Sequence, residues 1–307
     1  MRENYMDYNS TLNLIKNLLK NAGTHPKKSL GQNFLIDQSI NDLIIESADL
    51  LPNDIIIELG SGIGLLTRQI APSVSKVFAI EFDSDLFGIL QSYCKGFDNI
   101  IPINDNMLEI DYAKLLSDLS PNQNIKIIGN LPYYITSPII FMLLEKSKSL
   151  NIKSMILMVQ KEVGERIVSS PGNKSYGSLS VAVSYRCKAR IIRVVPADCF
   201  YPKPKVDSVI IQLEVQDKPN VSVKDESLFF SIVRGAFQHR RKTLRNALIL
   251  SIQSNKLKAR LESLDDAMRS LSIDPKTRGE NLSIDQFANL ANMIYNTDIG
   301  HKHKNHS

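Results

Sequence analysis

The sequence predicts an α/β fold, a doubly wound and mostly parallel sheet followed by a small all-helical C-terminal domain. Three observations carry this. Between about Asp37 and Glu214, short runs that are apolar almost throughout alternate with helical stretches, the pattern of parallel strands covered on both faces. The first run ends in three alternating glycines, Gly60, Gly62 and Gly64, which marks a tight strand-to-helix turn. Near position 216 the composition turns polar, and beyond it the chain reads as helices.

Taken in order, STLNLIKNLLKNAG (Ser10 to Gly23) reads as an amphipathic helix capped by Ser10, with Leu12, Ile15, Leu18 and Leu19 free to dock on the body. Lys16 and Lys20 interrupt it and no small-residue cleavage site follows, so a packed helix is expected rather than a secretion signal. No apolar run reaches the ~18 to 20 residues that cross a bilayer. DIIIEL (54–59), KVFAIEF (76–82), NIIPIN (99–104), IKIIGN (125–130) and SMILMVQ (154–160) read as strands, with helices such as LLTRQIA and SPIIFMLLEK between them. RIIRVVP and SVIIQLEV, separated by a Pro-rich loop, suit an antiparallel addition at the sheet edge. QDKPNVSVKDES (216–227) reads as a linker, followed by LFFSIVRGAFQ, KTLRNALILSI, a shorter stretch near LDDAMRSL, and SIDQFANLANMIY as helices. The expected organisation is an extension (1–26), an α/β domain (27–215), a helical domain (216–297) and a disordered tail (298–307).

Hydrophobic residues at 43% and charged residues at 22% are enough for a real core, and a formal charge of +5 points toward a polyanionic partner. Cys94, Cys187 and Cys199 form neither a CxxC pair nor a dense framework, as expected of a reducing, cytoplasmic compartment. His25 and His239 are isolated and the other three histidines lie in the tail, so no metal site is expected.

The glycine loop lets the backbone approach a ligand and aims a helix N-terminus at it. The dinucleotide fingerprint would need glycine at 65, where this chain has Leu65. The second strand ends in AIEFD, which sets Glu81 beside the same crevice, where a carboxylate can take both hydroxyls of a ribose. Such an acid serves NAD and S-adenosylmethionine alike. The next strand runs into INDNMLEID, where Asp105 is either an acceptor for an adenine amino group or a plain turn residue.

NLPY, at 130–133, closes the fourth strand at that same edge. Asn or Asp, any residue, Pro, aromatic would occur by chance in roughly one chain in ten, so its position is what gives it weight. The adenine amine is a poor nucleophile because its lone pair is delocalised into the ring. The Asn130 oxygen and a backbone carbonyl can each accept one of its N–H bonds and favour a pyramidal nitrogen. Pro132 stiffens the loop, and Tyr133 offers a face on which the base stacks. No general base is required, since the methylated amine is cationic and loses its proton readily.

These motifs resemble those of the small-subunit ribosomal RNA adenine N6,N6-dimethyltransferases, the kasugamycin-sensitivity enzymes. The resemblance runs from about Lys27 to Leu290, through KKSLGQNFLID (27–37), IELGSGIGLLT (57–67), GNLPYYI (129–135), FYPKPKVDS (200–208), FQHRRKTLRN (237–246) and RGENLS (278–283). It implies a Rossmann-like S-adenosylmethionine-dependent methyltransferase sheet. It also implies a cofactor site lined by Asn33, Leu35, Gly60, Glu81, Asp105 and Asn130, and a target adenine held by Asn130, Tyr133 and Phe200. The implied product is two dimethylated adjacent adenosines near the 3′ end of small-subunit (16S) rRNA, in an immature subunit engaged by a monomeric enzyme. Relatives that confer macrolide resistance on large-subunit rRNA share the core, but tend to carry Ile where this chain has Leu131.

Arg240, Arg241, Lys242 and Arg245 crowd the expected start of a helix, and Asp and Glu are absent from Gly235 through Lys258. Phosphate contacts are the natural reading, since a merely solvated face mixes signs. Lys203 and Lys205 add charge beside Phe200. A non-catalytic assembly factor would have no use for an intact NLPY. A DNA adenine methyltransferase would need a larger target-recognition domain, and a nicotinamide oxidoreductase leaves NLPY unexplained.

Overall fold

The computed structural model describes residues 8–120, 123–252 and 264–304. It divides into two compact units. One comprises the chain up to Gly164 together with Lys188–Asp217, and the other Glu165–Cys187 together with the chain from Lys218 onward.

In the first unit the elements follow as α1 (Tyr8–Asn21), β1 (Phe34–Leu35), α2 (Gln38–Ala48), β2 (Ile55–Leu59), α3 (Leu65–Ile70), β3 (Lys76–Glu81), α4 (Ser84–Tyr93), β4 (Ile100–Asn104), α5 (Tyr112–Leu115), β5 (Ile125–Asn130), α6 (Thr136–Lys146) and β6 (Ile152–Gln160). Then come α7 (Lys161–Ile167) at the unit boundary, α8 (Ser178–Arg186) in the second unit, and β7 (Cys187–Val195), β8 (Phe200–Tyr201) and β9 (Ser208–Val215). Seven strands form one sheet in the order β4-β3-β2-β5-β6-β9-β7, and β1 pairs antiparallel with β8. From β4 to β6 every pairing is parallel, while β9 runs antiparallel to β6, so the expected α/β sheet with its antiparallel edge is what forms. The chain steps outward from β2 through β3 to β4, then returns to the other side of β2 with β5. Strand order reverses between β2 and β5, and a crevice opens beyond their carboxyl ends.

At the opposite end of these strands, Lys126 Nζ lies buried 2.8 Å from Asp54 and donates to the carbonyls of Ala48 and Asp49 at the end of α2. That helix terminus favours a cation. Helix α1 lays Ile15 and Leu19 into a buried cluster with Phe34, Ile36, Ile63, Leu86 and Ile89. Ser10 lies inside α1, which is already helical at Tyr8, and so does not cap it.

The second unit is helical: α8, α9 (Glu226–Gln238), α10 (Leu244–Ile252), α11 (Leu264–Ser270) and α12 (Ile284–Lys304). Asp225 caps α9 by accepting from Leu228 N at 2.9 Å. The boundary drawn from sequence at 215/216 misses α8 because the segment sits between two strands of the sheet. Tyr176, Val181 and Tyr185 nevertheless pack into one core with Phe229, Leu248 and Phe287, and the Tyr176 hydroxyl donates to Leu282 O. The tail expected to be disordered from 298 differs as well. Its backbone continues α12 to Lys304, since no proline follows Tyr295 and extending a formed helix is cheap; residues 305–307 lie outside the described residues. Among the described residues no helix is long and apolar enough to cross a membrane.

Ile15, fully buried on α1, should make the extension integral to the first unit. Ile15→Ala is expected to cost about 2 to 5 kcal/mol, read as a fall in thermal midpoint, whereas the exposed Lys20→Ala should stay within about 0.5 kcal/mol of the parent.

Candidate active site

Strand register brings the expected site residues to one edge. Glu81 ends β3 opposite Asn104, Leu59 ends β2 opposite Gly129, and Asn130 follows at the end of β5. A cavity of about 220 Å³ opens there. Gly60 turns away from β2 at φ +74°, and a Cβ at that position would lie 3.2 Å from the carbonyl oxygen of Asn130. Gly62, at φ +57°, lets the Phe34 ring approach to 3.4 Å of where its Cβ would be. Both positive φ angles favour glycine, and at Gly60 the close approach does so as well.

The Glu81 carboxylate accepts from Gly62 N and Asp83 N, each at 2.8 Å. Burial raises its pKa, and the two N–H bonds pull the other way. Beside it, the segment before β1 is stapled down. Lys27 Nζ sits 2.8 Å from both Asp83 and Asp85, and Gln32 Nε2 donates to Asp83 at 2.7 Å. Burial would raise Asp83, but its bonds to Lys27 and Gln32 outweigh that and hold its pKa below the ordinary carboxylate value.

The Asn130 amide has its orientation set by an acceptor-only partner. Its Nδ2 donates to the Asn33 carbonyl at 3.0 Å, which leaves Oδ1 as the acceptor available to a ligand. Tyr133 lines the same cavity, and its hydroxyl bonds to the fully buried Ser208 Oγ at 2.9 Å. Burial raises the Tyr133 phenol above its ordinary value, so the hydroxyl stays protonated.

Asn33, Leu35, Gly60, Glu81, Asn130 and Tyr133 all line the cavity. Asp105 and Phe200 do not. Asp105 is exposed and its carboxylate caps the Asn106 backbone N–H at 2.7 Å, a turn that presents Asn106, Met107 and Leu108 to the cavity instead. Phe200 pairs with Leu35 across β1 and β8 and is buried in the core.

The basic segment divides. Arg240 is bound to Glu280 at 3.0 Å and to the carbonyls of Lys174 and Tyr176, and Arg245 makes a bidentate pair with Asp265 at 2.6 and 2.9 Å. The acids missing from the local sequence arrive from elsewhere in the chain. Arg241 and Lys242 are exposed, in the turn that precedes α10 rather than on its first turn. Lys203 pairs with Asp198 at 2.6 Å, and Lys205 is exposed.

Sequence reasoning missed Glu58, buried in mid-β2 and bonded by Thr67 Oγ1 at 2.5 Å, and Phe82, exposed at the cavity rim next to Glu81. The DxD in EFDSD was a visible signal for the Lys27 staple, although no acid announces its lysine partner from 56 residues away.

The match to the family model for ribosomal RNA adenine dimethylase spans residues 23–296. The chain belongs to this family. It is 44% identical over 268 residues to the ribosomal RNA small subunit methyltransferase A of Clostridium acetobutylicum, covering 87% of this chain and 93% of that protein. It is 45% identical to the protein of the same name from Alkaliphilus oremlandii, covering 87% and 91%. A dimethyladenosine transferase from Plasmodium falciparum is similar in structure with a TM-score of 0.69 and 27% identity, covering 83% of this chain and 94% of that one. The 23S rRNA methyltransferase ErmE, at TM-score 0.63 and 23% identity over 85% and 99% of the two chains, shares the fold.

For a dimethylase of this family the cavity chemistry is selective. Its lining includes Glu58 and Glu81 and, among the described residues, neither Lys, Arg nor His. Such a lining disfavours a pyrophosphate and suits a nucleoside that carries positive charge.

Burial raises the Glu58 pKa from 4.5 to about 7. The folded state therefore holds this proton more tightly than the unfolded chain. The stability it contributes is complete below pH 4.5 and disappears as pH rises through about 7, roughly 3 kcal/mol at 1.36 kcal/mol per unit. Glu58→Gln should flatten the fall in thermal midpoint between pH 4.5 and 7.5; a slope equal to the parent's would assign that fall to other groups.

Proposed function

We propose that the protein is an S-adenosylmethionine-dependent methyltransferase that dimethylates the N6 amino groups of two adjacent adenosines near the 3′ end of small-subunit (16S) rRNA. Its substrate is an immature small subunit in the cytoplasm, and it works as a monomer. The observation that carries this is the Asn130 amide, whose Nδ2 is held by the Asn33 carbonyl so that Oδ1 faces the cavity as an acceptor. The relatives at 44–45% identity are named for the small subunit, whereas the likeness to ErmE extends only to the fold.

When bound, S-adenosylmethionine supplies an electrophilic methyl group. Glu81 would hold its ribose hydroxyls, with Gly60, Asn33 and Leu35 around it; the glycine cradle and the acid-lined cavity fit that group. Asn130 Oδ1 accepts one N–H of the adenine amine and, with a loop carbonyl, turns the nitrogen lone pair toward the incoming carbon. The Tyr133 ring stacks on the base, held at its far end by Ser208. The amine becomes cationic on methylation and releases its proton to solvent. Arg241 and Lys242 contact RNA phosphates, while Arg240 and Arg245 brace the helical unit.

Single-turnover methylation of immature small-subunit particles tests the site. Asn130→Ala should lower turnover far more than substrate capture, because the acceptor matters most as the nitrogen pyramidalises. Tyr133→Ala should weaken base capture by about 1 to 3 kcal/mol, and Tyr133→Phe by less, since it loses only the Ser208 bond. A near-parental rate for Asn130→Ala would sink the mechanism.

Replacing Arg241 and Lys242 with Ala should flatten the salt dependence of RNA binding by about 0.7 to 0.9 in log–log slope for each phosphate no longer neutralised, with stability unchanged. Arg240→Ala should instead lower the thermal midpoint.

A further inference from the structure

Helix α1 and the turn that follows it remain unexplained by the catalytic reading. From Tyr8 to Ile36 the chain contains four lysines, Lys16, Lys20, Lys27 and Lys28, and no Asp or Glu. Lys27 is consumed by Asp83 and Asp85, while Lys16, Lys20 and Lys28 are exposed. The rotation of α1 is fixed from below, since Thr11, Ile15 and Leu19, four residues apart, are each at most 4% exposed. Lys16 and Lys20 therefore lie together on one exposed flank of the helix, about 100° from its buried line. Lys16 Nζ sits 5.3 Å from the centre of the Tyr201 ring, and Tyr201 pairs with Phe34, which packs on Gly62 of the cavity turn. The lysine face is thus tied through Tyr201 and Phe34 to the mouth of the active site. Tyr201 also leads into the loop bearing Lys203, paired with Asp198, and the exposed Lys205.

We infer that this face, Lys16, Lys20 and Lys28, is a phosphate-binding surface that docks the backbone of the RNA carrying the target adenine. The inference rests on the RNA-methylation reading and assigns the extension a part in it. Charge complementarity selects the occupant: three exposed lysines on a stretch with no Asp or Glu of its own match a polyanion. A membrane surface is disfavoured because an interfacial helix must bury its apolar side in lipid, and that side of α1 is already spent on Phe34, Ile63, Leu86 and Ile89.

The test uses the full-length chain and immature small-subunit particles. Affinity is measured against salt for the parent, for Lys20→Gln with Lys28→Gln, and for the triple variant that adds Lys16→Gln. The log–log slope should become shallower by about 0.7 to 0.9 for each lysine that neutralises a phosphate, with thermal midpoint and S-adenosylmethionine affinity as in the parent. Parental methylation with an unchanged slope and affinity in the triple variant overturns the surface and leaves the function standing. A parent that neither binds nor methylates the particles overturns both. Lysine-dependent binding to phosphatidylglycerol vesicles with an unchanged RNA slope assigns the face to a membrane and overturns the inference as well.

Discussion

The molecule is organised around the meeting of two strand ends. β2 and β5 are neighbours in the sheet but not in the chain, and they finish side by side, so the turn after β2 passes within van der Waals reach of the Asn130 carbonyl. A side chain at Gly60 would be 3.2 Å from that oxygen. The glycine turn thus constrains where Asn130 sits, and Asn130 in turn lines the cavity. The reversal of strand order that creates this crevice is a property of the whole sheet.

Around that point the site is closed by pieces that come from far apart. Lys27 and Gln32 hold the segment before β1 against Asp83, and this segment supplies the Asn33 carbonyl that orients the Asn130 amide. The chain of cause is continuous: an ion pair at the rim positions a backbone carbonyl, the carbonyl fixes which end of the side-chain amide is free, and that end is the side-chain atom able to accept from an amine. Ser208, from the antiparallel edge strand β9, does the same for Tyr133 by gripping its hydroxyl. Neither side chain is positioned by its own loop alone.

The strands were legible because each is apolar enough to be buried on both faces, and the edge residues were legible because a parallel sheet brings its carboxyl ends together. Asn130, Glu81 and Gly60 needed nothing more than position. What escaped was whatever depended on partners distant in sequence. The absence of acids between Gly235 and Lys258 is true of the chain but not of the folded unit, where Glu280 and Asp265 reach Arg240 and Arg245. Of the two readings open for Asp105, the local one is what its geometry shows, the carboxylate accepting from the adjacent Asn106 N–H. Phe200 sits in a two-residue strand, and alternation there decides that it faces the core while Tyr201 faces α1. α8 was lost because its helical partners lie beyond the next strands.

Charge is partitioned between inside and outside. The cavity has carboxyls and, among the described residues, no cation, and burial raises the pKa of both Glu58 and Glu81. A positively charged ligand entering it would stabilise their ionised forms, so its binding and their deprotonation reinforce one another. A ligand that has lost its charge gains nothing from that coupling, and the same cavity holds it less well. Lys16, Lys20 and Lys28 lie outside this lining, so under the proposed docking a polyanion would not compete for the carboxyls. On the proposed function, such a separation would let the cavity exchange its spent ligand while the RNA stayed held by charges of the opposite sign.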